Sequence, residues 1–222
     1  MSDLTKTLVI IPARAGSKRI AGKNRKELKG KPLIAYSIEY AQKHINADII
    51  ISSDDPLIHP IAESYGVSVL NRDASLAQDT SLTIDVLKDV IEQQSKEYEN
   101  VVLLQPTNPL RPIGLFEKAW KAYQKSNENG LLTVTKNDKK LGTVSAEVYT
   151  PATYTFGQRS QDLEDLFYEN GLLYILPTSL ISKGVLLGEK PLAIEVSHPF
   201  SSVDIDTELD WDWAELILEK YK

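Results

Sequence analysis

Two stretches of this chain carry residue types whose spacing could do chemistry. The first is Ile11-Pro12-Ala13-Arg14-Ala15-Gly16-Ser17-Lys18-Arg19-Ile20-Ala21-Gly22-Lys23-Asn24, an apolar run that breaks into a loop of small residues and cations. A strand ending in such a loop can gather several backbone N–H groups in one concavity, and concavities of that kind bind phosphate oxygens. Arg14, Lys18 and Lys23 add the positive charge needed to hold a triphosphate while a phosphoryl group moves. The order of residues is neither a Walker A loop nor a dinucleotide fingerprint. The second stretch is Val203-Asp204-Ile205-Asp206. Residues two apart on an extended chain project from one face, so both carboxylates point one way while Val203 and Ile205 point into a core. Hard oxygen ligands of this type suit Mg²⁺, which keeps several waters and bridges to a nucleotide phosphate. Taken alone, an Asp-x-Asp is more often an exposed strand end.

Charge and composition narrow the partners. Eight basic residues lie between positions 14 and 31 against one acid, Glu27, in a chain of formal charge −6. One small region is built to meet anions, and the acidic remainder argues against a general nucleic-acid or membrane-surface binder. Arg25, Lys26, Lys29 and Lys31 read as solvated cations entering a helix. Arg14, Lys18 and Lys23 read as a site, because open α/β sheets bind ligands at the carboxyl ends of their strands. The absence of cysteine excludes disulfides, thiolate metal sites and a cysteine nucleophile, and it fits a reducing compartment. No apolar run approaches the roughly 20 residues that span a bilayer, and the opening Met-Ser-Asp-Leu-Thr-Lys lacks the apolar core of a signal peptide, so a cytoplasmic protein is expected. His44, His59 and His198 are scattered without metal-ligand spacing and read as surface or capping residues.

The elements that must position these residues alternate between strand and helix patterns, as a parallel sheet covered by helices requires. Strands are predicted at 7–12, 47–52, 67–70, 100–105 and 131–136, and helices at 32–44, 56–65, from a cap at 80 or 81 to about 95, and 113–125. Thr80 or Ser81 is placed to cap the third of these helices. From 137 to 199 the rhythm breaks into short strands (143–149, 172–176, 192–196), the pattern of an antiparallel extension that serves acceptor binding, dimerisation or a lid. The β pattern resumes at 203–206. A terminal helix then follows Thr207, with Asp210 in the capping-box position. Within that helix Trp211 and Trp213 point to opposite sides.

The stretches IIPARAGSKRIAGKNRKELKGKPLIAYSIEYA, LNRDASLAQDTSLTIDVL, VVLLQPTNPLR, YENGLLYI and VDIDTELDWDWAEL together resemble the sialic acid (nonulosonic acid) cytidylyltransferases, in that family's order and over nearly the whole chain. The resemblance implies a single nucleotidyltransferase domain over 1–222, an α/β Rossmann-like three-layer sandwich with a mostly parallel sheet and a small antiparallel extension. It implies transfer of CMP from CTP to the anomeric hydroxyl of a nine-carbon 2-keto sugar acid, with Mg²⁺ as cofactor, usually by a homodimer. It also reverses the reading of Asp204 and Asp206, which become metal ligands, Asp206 with a catalytic part beside Arg14, Lys18 and Lys23. It places Ala13, Ser17, Asn24 and Arg72 at the nucleotide, Asn24 on the cytosine. A turn or cap role for Asn24 is the plain reading of the residue alone. Thr80 and Thr83 fall near the nucleotide in the resemblance and equally well at a helix start. Gln105 would touch the acceptor, and Arg111 would contact ligand or lock its turn. Two departures mark this chain. Ser160 stands where the family has arginine before Gln-Asp-Leu, leaving Arg159 to reach the acceptor carboxylate. Lys136-Asn137-Asp138-Lys139-Lys140 replaces a His-Pro segment, which points to a legionaminate- or pseudaminate-like or deaminated acid. An eight-carbon 2-keto acid as acceptor, or a non-catalytic nucleotide-binding module, are the alternatives.

Overall fold

The computed structural model describes residues 4–126 and 128–221. Its centre is β1 (Thr7–Pro12), a run of branched apolar residues with Leu8, Val9, Ile10 and Ile11 wholly buried. Alternation along the strand sends Val9 and Ile11 into one core and Leu8 and Ile10 into another. A strand that feeds two cores must lie inside a sheet covered on both faces. β1 pairs in parallel with β4 (Asp48–Ser53) and with β6 (Asn100–Leu103), and β5 (Ser68–Asn71) extends the parallel set beyond β4. On the other side β10 (Leu166–Pro177) runs antiparallel to β6 and to β7 (Leu131–Asn137), and β11 (Leu192–Glu195) closes the edge, giving the order β11-β7-β10-β6-β1-β4-β5.

The first core packs α1 (Leu33–His44), α2 (Ile58–Ser64) and α4 (Leu115–Tyr123) on one face, through Ile34, Ile38, Ile58, Phe116 and Trp120. The second packs α3 (Thr83–Glu92) and the single turn α5 (Thr178–Ile181) on the other, through Ile84, Leu87, Val90 and Ile181. The three-layer α/β expectation is met. A third cluster binds α6 (Glu208–Tyr221) to the small hairpin of β2 (Glu27–Leu28) and β3 (Lys31–Pro32), with Leu28, Leu33, Val203, Ile205 and Trp211 buried together. That cluster ties the segment before α6 to the loop after β1.

Four expectations need correction. The predicted strand at 143–149 is a hairpin, β8 (Gly142–Ser145) and β9 (Val148–Pro151), because the chain reverses at Ala146 and Glu147 with φ of 47° and 66°. Left-handed backbone at two successive residues is the usual geometry of a two-residue hairpin turn, but neither residue advertises it. Residues 203–206 join no sheet and make one ladder-like bond, Ile205 N–H to the Thr107 carbonyl at 2.8 Å. The 137–199 segment is only partly an appendage, since β10 and β11 complete the main sheet. Thr80 and Ser81 do not cap α3, whose N-cap position is Leu82, with no side-chain cap bond. The capping box of α6 is present: Thr207 Oγ1 accepts from Asp210 N–H at 3.3 Å and Asp210 Oδ2 accepts from Thr207 N–H at 2.7 Å. As expected, Trp211 is buried and Trp213 is not.

Candidate active site

The carboxyl ends of β1, β5 and β6 open onto a cleft of about 520 Å³. Its floor is the loop after β1, and its backbone is pinned from behind. Ser53 Oγ donates to the Ala13 carbonyl at 2.6 Å, Asn24 Nδ2 to the Arg14 carbonyl at 3.0 Å, and Ala15 N–H to Asp54 Oδ1 at 2.8 Å. Ser17 N–H turns back to the Ala15 carbonyl at 2.9 Å. The amides of Ala15 and Ser17 are thus spent inside the protein. The cradle offered to an anion rests more on side chains than a simple backbone nest would.

Those side chains face the cleft. Arg14 donates to Asp79 Oδ1 at 2.7 Å, and Lys18 pairs with the same carboxylate, so that together they hold the Asp79 carboxyl below its ordinary range. Lys23 is buried. Its ammonium donates to the Ile205 carbonyl at 2.7 Å and to Asp206 Oδ1 at 3.0 Å, and Arg19 reaches the other Asp206 oxygen at 3.1 Å. These bonds bring residues some 180 positions apart into contact, so the cationic loop and Asp206 line one cleft. Val203 and Ile205 are wholly buried while Asp204 and Asp206 reach solvent, so the expected alternation survives without a strand. Asp204 stands deep enough for lost hydration to raise its carboxyl above the usual range. The Thr107 hydroxyl opposes that shift, and neighbouring Asp206 adds to it.

The far wall holds Arg72, buried at the end of β5, donating to Ser52 Oγ at 3.1 Å and the Ser52 carbonyl at 2.7 Å. Burial lowers its pKa. Thr83, the first residue of α3, and Gln105 complete that wall. Of the residues singled out in the sequence, the cleft is lined by Arg14, Ser17, Lys18, Lys23, Asn24, Arg72, Thr83, Gln105 and Asp206. Ala13 is buried in the first core, and Thr80 and Asp204 lie outside the lining. Arg159 sits on the extension, where Asp162 binds it twice, at 2.7 and 2.9 Å. Arg111 locks its turn: its buried guanidinium donates to the Leu172 carbonyl, Ser37 Oγ and the Gln105 carbonyl, and burial depresses its pKa to about 10. The four cations read as solvated meet acids outside the cleft: Arg25 with Asp55, Lys26 with Glu208, Lys29 with Glu219 and Lys31 with Glu39. His198 accepts from Phe200 N–H in a local cap. Sequence reasoning gave no role to Arg19, Gln78 or Leu76, which also line the cleft. Arg19 was visible as charge, whereas nothing in its type marked Gln78.

Comparison with known proteins decides the family. The sequence profile of the cytidylyltransferases matches residues 8–211. The chain belongs to the cytidylyltransferase family. It is 32% identical to a CMP-N,N'-diacetyllegionaminic acid synthase of Legionella pneumophila, over 96% of each chain. It is 30% identical to a pseudaminic acid cytidylyltransferase of Campylobacter jejuni, again over 96% of each. It is 32% identical to an N-acylneuraminate cytidylyltransferase of Streptococcus agalactiae, over 93% of this chain but 52% of the relative, so this cytidylyltransferase spans about half the length of that protein. Among solved structures, a CMP:2-keto-3-deoxy-manno-octonic acid synthetase complexed with CTP superposes with a TM-score of 0.73 at 14% identity, covering 98% of this chain and all of the other, a likeness of fold. The nonulosonic-type resemblance read from the motifs therefore holds. No helix among the described residues is long and apolar enough to cross a membrane.

Proposed function

We propose that this cytidylyltransferase moves CMP from CTP to the anomeric hydroxyl of a nine-carbon 2-keto sugar acid. The observation that carries the reading is the buried Lys23 ammonium bonded to both the Ile205 carbonyl and Asp206, which ties the cationic loop to the acidic segment. In this scheme the acceptor's 2-hydroxyl oxygen bonds to the α-phosphorus and its proton passes to solvent water, while the bond from that phosphorus to the bridging oxygen breaks and pyrophosphate leaves with the electron pair. Arg14, Lys18 and Lys23 balance charge gathering on the leaving group, so positioning and electrostatics supply most of the acceleration. Asn24 spends its Nδ2 on the Arg14 carbonyl, leaving Oδ1 as the atom to accept from the cytosine amine. Gln105 faces the acceptor side.

The donor chemistry of Asp204 and Asp206 fits Mg²⁺, which is commonly held by one or two carboxylates plus substrate phosphate. Part of the charge repulsion between the two is already met by Lys23 and Arg19, which pair with Asp206. When bound there, the ion would neutralise phosphate charge and lower the pKa of the attacking hydroxyl. His-based general-base chemistry has no support, since no histidine lines the cleft.

The relatives' names and the Lys136–Lys140 departure favour a legionaminate- or pseudaminate-like acceptor over N-acetylneuraminate. Val144, Val148 and Phe156 are largely exposed on the extension, an apolar surface that supports pairing with a second copy of the chain. The cysteine-free composition supports a cytoplasmic setting. Pyrophosphate release, measured across the four nucleoside triphosphates and a panel of eight- and nine-carbon 2-keto acids with Mg²⁺, tests the proposal. CTP with a nine-carbon acid should be the productive pair, and Asp206→Ala should lower its turnover by about 100-fold or more. Turnover only with an eight-carbon acid, or CTP binding with no turnover on any acid, would overturn it.

A further inference from the structure

The sequence Ser52-Ser53-Asp54-Asp55 at the end of β4 has no part in the chemistry above, yet its first three side chains are bonded to the site's framework. Ser52 holds Arg72 through Oγ and its carbonyl. Ser53 Oγ donates to the Ala13 carbonyl and accepts from Asp55 N–H at 3.0 Å. Asp55 accepts from Arg25 at 3.2 Å and from Leu57 N–H at 3.0 Å. Asp54 is only partly buried, does not line the cleft, and accepts the Ala15 amide from 39 positions away.

We propose that Asp54 is a positioning residue for the phosphate loop: by accepting the Ala15 amide it fixes the backbone that aims Arg14 into the cleft. The inference rests on reading the cleft as a CTP site. Its support is geometric. Residues 13, 14 and 15 are each pinned by a side chain, Ser53, Asn24 and Asp54 in turn, and the pins stop at Gly16, where even an added Cβ would meet nothing within 4 Å. Arg14 therefore springs from the held part of the loop and Lys18, with four-fifths of its side chain exposed, from the part beyond it. Of the three pins, the Ala15–Asp54 bond alone has an ionised partner, and bonds to charged groups are the strong ones. It also spends an amide that a phosphate could otherwise have used, so its effect on CTP must run through Arg14.

The test is calorimetric titration with CTP in magnesium buffer, using wild type, Asp54→Ala, Asp54→Asn, Arg14→Ala and the Asp54→Ala/Arg14→Ala double variant, with melting temperatures as the check on folding. Asp54→Ala should bind CTP about 10-fold more weakly, the scale of one hydrogen bond to a charged group. Asp54→Asn, which keeps an acceptor at the same place, should stay within about 3-fold of wild type. In the Arg14→Ala background the Asp54→Ala change should cost less than about 2-fold, since the group it positions is gone. Asp54→Ser, too short to reach residue 15, gives the same comparison if the alanine variant does not fold. Unchanged affinity in the truncated variants, or a full 10-fold loss that persists without Arg14, would overturn the inference. Wild type failing to bind CTP would instead sink the proposed function on which it rests.

Discussion

Replacing Lys23 by methionine keeps the length of the side chain and removes the ammonium that joins the two halves of the cleft. Two bonds disappear, one to the Ile205 carbonyl at 2.7 Å and one to Asp206 at 3.0 Å. The first leaves an acceptor without its partner in a segment whose own side chain is wholly buried, at a cost of about 1–3 kcal/mol. The second matters less for stability: half of the Asp206 side chain is exposed, and such pairs are worth at most about 1 kcal/mol after screening. A total near 2–3 kcal/mol should lower the melting temperature by about 5–10 °C for a chain of this size. Turnover should fall further, by about 10²–10³-fold, because a fixed cation beside the transferring phosphate is lost and the Asp204/Asp206 charges are left closer to uncompensated. Thermal melting and CTP-dependent pyrophosphate release on the same preparation separate the two effects. Lys23→Arg should restore part of the stability and little of the rate, since a planar fork does not fit the slot of a point charge. A methionine variant that melts lower but turns over normally would reduce Lys23 to a structural staple and refute its part in catalysis.

Two further outcomes are expected. Gly171 has φ of +71°, and a Cβ there would stand 2.4 Å from Asn108 Oδ1 and 2.9 Å from Gln105 Oε1, so Gly171→Ala should cost about 2–4 kcal/mol by urea denaturation and raise the KM for the sugar acid more than that for CTP; equal effects on both substrates would argue against Gln105 as an acceptor contact. Burial pushes Tyr36, Tyr40 and Tyr98 up to about 12 and raises Tyr123 and Tyr174 as well. The folded state then keeps protons that the unfolded chain releases near pH 10, so this stabilisation is full below about pH 10 and is lost as pH rises through about 12. Ultraviolet titration should show two classes among the ten tyrosines. A single transition near pH 10 in the folded protein would contradict it.

What could be read in advance depended on whether a signal was local. The strand at 7–12 and the helix α1 carry their periodicity in their own residues, and the Thr207/Asp210 capping box is spelled out over three positions. The 146–147 turn is formed by Ala and Glu in a conformation usually left to Gly and Asn, so the hairpin was invisible. The alternation that leaves Asp204 and Asp206 exposed outlived the wrong element: Val203 and Ile205 are buried, whatever pairs with their backbone. Ala13 was expected at the nucleotide, but its neighbours in the fold are the first core and Ser53. The roles of Arg19 and Asp54 could not be read at all, because each is defined by a partner 187 or 39 positions away.

The pairing of the cleft's charges explains how so cationic a loop can be both stable and useful. Arg14 and Lys18 share Asp79, while Arg19 and Lys23 share Asp206, so each carboxylate stands against two cations. The Asp79 contacts lie at the surface, where solvent and salt screen them, and a triphosphate carrying more charge than one carboxylate can replace them at little cost. Lys23 differs in kind. Its bond to the Ile205 carbonyl is buried. The loop therefore combines cations that can change partner when an anion enters with one that cannot, and the fixed cation is also the one that joins the phosphate side of the cleft to the acidic side. A cradle made only of the first kind would bind anions without placing them. Lys23, held from behind by a carbonyl, gives the binding a direction, and the direction is toward Asp206.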